Sequence, residues 1–138
     1  MNTKKGFTII ELLVVIAIIA VLAGIVLVNV TSYINKGKDA SIKGNLATIL
    51  TNSAVYFDTN SNYTSFCTAA GYTVPEAAMT ATNIGSTVTE VCTATHFCSC
   101  ATLKTTAGNT YCVDDTGYKK ETATACATRC PAGAACTD

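Results

Sequence analysis

Glu11 is a carboxylate set in an apolar run. From Phe7 to Val28, only Thr8, Glu11 and Gly24 are not apolar side chains. A charge at that depth in a bilayer costs at least ~2.5 kcal/mol, so Glu11 calls for a cation. Lys4-Lys5-Gly6 precedes the run, and a cut after Gly6 would give Phe7 a new α-ammonium. Phe7 and Glu11 stand at i and i+4, one helical turn apart. Their pair can close within one subunit or between the amine of one subunit and the carboxylate of the next. The chemistry this spacing offers is charge neutralisation in a dry setting.

The second set of reactive side chains is eight cysteines: Cys67, Cys92, Cys98, Cys100, Cys112, Cys126, Cys130 and Cys136. Eight cysteines allow about 105 pairings, and spacing does not choose among them. Cys98 and Cys100 share one face of a strand, so they reach different partners rather than each other. Cys126 and Cys130 lie one turn apart if the tail is helical. Zinc is the alternative, with Cys98-x-Cys100 and Cys126-x3-Cys130 as rough ligand pairs. The usual Cys-x2-Cys spacing is absent, which favours disulfides and also argues against a redox catalyst. Neither a metal nor a cofactor is expected.

Other candidate groups point the same way. His96 is the single histidine and has no evident Ser or Cys nucleophile with an acid; a strand histidine is the expectation. Asp114-Asp115 near Gly117 offers a calcium alternative, but two adjacent carboxylates before Gly read as a turn. There is no phosphate-binding glycine loop and no carboxylate pair at enzyme spacing. Formal net charge is zero, and removing residues 1 to 6 leaves seven basic and nine acidic side chains. That balance gives no broad basic surface for nucleic acid. The chain reads as something other than an enzyme.

These residues need elements to hold them. A helix crosses the hydrocarbon core with about 20 residues, so residues 7–28 are long enough to span. A secretory signal has a shorter apolar core, about 7–15 residues, with a small-x-small site after it; neither fits. From Asn29 the helical period continues through Ile34, Ile42, Leu46, Ile49, Leu50, Ser53 and Phe57. Lys36, Lys38, Asp39, Lys43, Asn45 and Asn52 fall mostly on other faces. The polar cluster at 58–63 ends the helix near Phe57. Residues 64–86 read as an irregular loop with a short helical piece at 76–81.

Strand signals follow at 87–93, 95–103 and 109–114, the last two joined by the Gly-containing link 104–108. The expectation is a three-stranded antiparallel sheet on the apolar face of residues 42–57, followed by a stapled loop from Tyr118. The fold class is α+β. The divisions are a leader at 1–6, a transmembrane helix at 7–28, an amphipathic half at 29–58 and a cysteine-rich head at 59–138. Lys4 and Lys5 before the span place the amino terminus in the cytoplasm. The head is then extracytoplasmic, where disulfides persist.

Residues 5–19, Lys-Gly-Phe-Thr-Ile-Ile-Glu-Leu-Leu-Val-Val-Ile-Ala-Ile-Ile, resemble the class III signal of type IV prepilins and type II secretion pseudopilins. The resemblance implies a pilin fold and cleavage between Gly6 and Phe7 by prepilin peptidase. It implies N-methylation of Phe7, and assembly through Phe7 and Glu11 into a helical filament of copies of the chain, driven by a cytoplasmic ATPase and a platform protein. Many bacterial pilins carry a proline within the long helix; this chain has none before Pro75. The implied function is a pilus subunit for adhesion, motility or DNA uptake. The alternatives are a type II secretion pseudopilin and a membrane-anchored cysteine-rich binding module that never polymerises.

Overall fold

The computed structural model describes residues 6–131 and 135–137. Most of the expected leader, residues 1–5, therefore lies outside the described residues. The chain divides into two compact units, Met1–Ile34 and Asn35–Asp138.

Helix α1 runs Ile9–Asn60, a few residues beyond the expected end. It stops where Ser61 takes a left-handed φ of 56° while its amide still reaches the Phe57 carbonyl at 2.7 Å. In the first unit, every apolar side chain described from Phe7 to Leu27 is exposed. Among the described residues, α1 is the one helix long and apolar enough to cross a membrane.

In the second unit, Ile42, Leu46, Ile49 and Ser53 recur at spacings of four and three and are buried. Ile34 and Phe57, placed on the same stripe by the periodicity, are exposed. Asp39, read as falling off the apolar stripe, is buried. The periodic reading assumed one straight stripe, whereas the packed stretch begins near Asp39 and ends near Ser53. Phe57 instead lies against Tyr63, ring centroids 4.8 Å apart.

The stretch read as an irregular loop is structured. A 3-10 turn at Phe66–Thr68 leads into α2, Ala70–Thr80, with Pro75 inside it. A mid-helix proline removes the donor for the carbonyl four residues back, here Gly71. That oxygen accepts a 2.7 Å hydrogen bond from Asn52 Nδ2 of α1 instead. The close approach also explains the glycine, since a Cβ on Gly71 would sit 3.3 Å from Asn52 Cβ. The short helical piece expected at 76–81 is the second half of this helix, and α1 supplies the partner that lets it run through Pro75.

The sheet is an antiparallel meander of β1 (Val88–Cys92), β2 (Phe97–Thr102), β3 (Thr110–Asp114) and β4 (Lys119–Thr122). Three strands were expected, and β4 corrects that number. Lys119-Lys120-Glu121-Thr122 has no apolar alternation, as suits an exposed edge strand protected by charge. It pairs with β3 from Thr110↔Thr122 to Val113↔Lys119.

The central strand β2 is buried on both faces. One face carries Phe97 and Ala101 into a core with Ile42, Leu46, Ile49, Phe66, Tyr72, Met79 and Val113. Ring pairs join Phe66 to Tyr72, Phe97 and Tyr63. The opposite face carries Cys98 and Cys100, with Cys112 directly across from Cys100. It is covered by the short helix α3, Cys126–Arg129, and by Cys130 and Cys136. The tail read as a stapled loop is thus the lid of a second core made mostly of sulfur.

Candidate functional site

The amino-terminal residues form a built helix start. Thr8 is the cap of α1: its Oγ1 accepts the Glu11 amide at 3.3 Å. Glu11 Oε2 reaches back and accepts the Thr8 amide and the Thr8 hydroxyl, each at 2.8 Å. This reciprocal pair is a capping box, which satisfies helix donors that otherwise lack partners. Among the described residues, both donors to the carboxylate come from Thr8.

Phe7 immediately precedes this box and is exposed. Among the described residues, a Cβ built at Gly6 meets no atom within 4 Å. Thr8 was passed over in the sequence reading, although Thr-x-x-Glu before an apolar run is a recognisable start signal. The arrangement holds an acid at the first turn of an apolar helix, one turn from Phe7.

The cysteines pair as Cys67–Cys92, Cys98–Cys130, Cys100–Cys126 and Cys112–Cys136. Cys67–Cys92 ties the 3-10 turn to the end of β1. The other three bind β2 and β3 to α3 and the tail. Cys98 and Cys100, adjacent on one face, go to Cys130 and Cys126, one turn apart around α3.

The remaining polar candidates have structural partners. Asp114, buried, accepts the Thr116 amide at 2.9 Å, the Thr116 hydroxyl at 2.6 Å and the Tyr118 amide at 3.2 Å through Oδ1, and the Cys136 amide at 2.8 Å through Oδ2. The expected turn at 114–117 is therefore held by its own first residue, with Gly117 at φ 85°. Asp115 Oδ1 accepts the Phe97 amide at 3.1 Å, and Oδ2 lies 2.9 Å from His96 Nδ1. His96 therefore has an acid partner across 19 residues of chain, which spacing did not reveal.

Arg129, missed as a structural residue, is fully buried. It donates to the carbonyls of Thr137 (3.1 Å), Thr110 (3.4 Å) and Lys120 (2.9 Å) and to the Tyr118 hydroxyl (3.0 Å). It also lies over the Tyr118 ring.

Comparisons with known proteins bear on the same amino-terminal residues. The family model described as "Prokaryotic N-terminal methylation motif" matches residues 1–27. The chain is 51% identical over 47 residues to the type IV major alpha-pilin of Moraxella bovis, covering 34% of this chain and 30% of that one. It is 33% identical over 69 residues to the type IV major pilin protein PilA of Myxococcus xanthus, covering 50% and 31%. It is 38% identical over 65 residues to the type IV wide pilus major component PilA4 of Thermus thermophilus, covering 47% and 50%. The chain thus spans between 30% and 50% of the length of these relatives. No solved structure matches it. The residues that carry Phe7 and the capped start of α1 thus match the prokaryotic N-terminal methylation motif, and the amino-terminal third to half of the chain is similar to type IV major pilins.

Proposed function

We propose that the chain is a structural subunit of a type IV pilus-like filament. The single observation that carries this reading is Glu11 held by Thr8 at the first turn of an exposed apolar helix, directly after Gly6-Phe7. Exposed apolar surface of this extent on a helix needs lipid or other helices around it. In the precursor, residues 7–28 sit in the cytoplasmic membrane with the amino terminus in the cytoplasm. Prepilin peptidase cleaves after Gly6. Phe7 is then N-methylated, and its ammonium pairs with Glu11 of a neighbouring copy. An unpaired charge in a dry bundle is costly, so the pair selects correct axial register. A platform protein and an ATPase drive assembly, and the head at 59–138 faces outward.

Similarity to type IV major pilins supports a pilus subunit over a secretion pseudopilin. The test is mass spectrometry of the amino terminus of the mature protein. N-methyl-Phe7 as first residue is the expected result; an intact Met1 overturns it in favour of a membrane anchor.

A further inference from the structure

Two of the four disulfides meet at one point. Cys98–Cys130 and Cys112–Cys136 bring four Sγ atoms within 4.8 Å of one another. Between the two bridges, Cys98 Sγ lies 3.0 Å from Cys136 Sγ and 3.4 Å from Cys112 Sγ, and Cys112 Sγ lies 3.8 Å from Cys130 Sγ. In a tetrahedral four-thiolate metal site, with metal–sulfur bonds of about 2.3 Å, the sulfurs lie about 3.8 Å apart, so such a site needs both bridges open while the Cys98–Cys112 and Cys112–Cys130 separations between bridges change little.

The scaffold around these sulfurs is held by bonds other than the bridges. Cys98 and Cys112 come from the paired strands β2 and β3. Cys130 follows α3, its amide bonded to the Cys126 carbonyl at 2.9 Å. Cys136 is fixed by its amide on Asp114 and by the Thr137 amide on the Arg129 carbonyl at 3.0 Å. Arg129, next to Cys130, places its carbonyl oxygen 3.7 Å from Cys98 Sγ and 4.0 Å from Cys112 Sγ, while its buried guanidinium holds the surrounding backbone through Thr110, Lys120 and Thr137.

We propose that Cys98, Cys112, Cys130 and Cys136 form a four-thiolate site for a soft divalent cation of the zinc class in the chain before its disulfides close. The ligands differ from the pairs the sequence spacing offered: Cys100 and Cys126 bond each other outside this cluster. Binding converts four thiols and one M²⁺ into a dianionic tetrathiolate and releases four protons, so affinity rises with pH. Oxidation by two molecules of a small disulfide, such as oxidised glutathione, passes four electrons to them. It yields the two protein disulfides, four small thiols and the free ion, with four protons taken up. Metal and disulfides are alternative closures of one centre.

The test uses the full chain in detergent, purified with its thiols reduced. Loaded with one equivalent of Zn²⁺ and treated briefly with a thiol-alkylating reagent, it should protect Cys98, Cys112, Cys130 and Cys136 and label Cys67, Cys92, Cys100 and Cys126. With Co²⁺ it should show the intense visible bands of a tetrahedral thiolate site at one ion per chain, lost when oxidised glutathione is added. Cys112→Ser should lose the four-sulfur spectrum. Uniform labelling, protection of a different set, or an unchanged spectrum in Cys112→Ser would each overturn the proposal.

Discussion

Asp39 in α1 accepts the backbone amides of Lys104 and Thr105, the latter at 3.0 Å, and so pins the β2–β3 loop to the helix. The strands and the helix that cover one core are thus joined at a polar contact as well as an apolar one. Burial raises the Asp39 pKa most strongly as a single cause. The Thr105 side chain, the Lys104 and Thr105 amides and nearby Lys43 together outweigh it and hold the carboxyl below its ordinary value.

A depressed folded pKa means stability that is present above the unfolded value and lost as pH falls through the folded one. Urea unfolding of the full chain should therefore show stability falling below about pH 4. Asp39→Asn should flatten that slope, and Asp39→Ala should cost about 1–3 kcal/mol at neutral pH. An unchanged acid slope in Asp39→Asn would place the acid sensitivity elsewhere.

Tyr72 and Ser99 share a buried hydrogen bond of 3.0 Å between α2 and β2. Burial drives the phenol far above its ordinary pKa, so it stays neutral through the physiological range. Tyr72→Phe should cost about 1–2 kcal/mol by orphaning the Ser99 hydroxyl. Adding Ser99→Ala should recover part of that loss in a double-mutant cycle. Strict additivity of the two losses would show that the bond contributes nothing.

Cys67–Cys92 and Cys100–Cys126 close loops of 25 and 26 residues. Chain entropy alone assigns each about 3.5 kcal/mol. Because Cys100 and Cys126 lie inside the sulfur core and Cys67 only borders the other core, the double serine variant at 100 and 126 should fall further. It adds buried polar groups to the lost cross-link. Denaturant midpoints of the two double variants provide the comparison.

Glu11 has two roles to separate, capping Thr8 and neutralising a neighbour's amine. Glu11→Gln keeps an acceptor for the Thr8 amide but removes the charge, whereas Glu11→Ala removes both. If charge pairing governs assembly, both variants should insert in membranes yet give sheared-filament yields far below wild type. Wild-type yield from Glu11→Gln would leave the carboxylate with its capping role alone.

Local properties of the chain were legible before any coordinates. The apolar run, Glu11 within it, the amphipathic continuation and the strands at β1, β2 and β3 all follow from composition and period, which neighbouring residues decide among themselves. Thr8 belonged to the same category, its capping box readable from Thr-x-x-Glu. What the fold alone decided joins residues far apart in sequence. Asn52 serves the carbonyl that Pro75 leaves free, so α2 spans Ala70–Thr80 where a loop with only a short helical piece was expected. Glu121 meets Lys43 at 2.7 Å across 78 residues, helping an otherwise polar stretch sit as β4. His96 found Asp115, Asp39 found a loop to hold, and four of eight cysteines converged on one point because β2 and β3 aim them at the same lid. Such partners are chosen by which surfaces pack together, and no spacing along the chain encodes that distance.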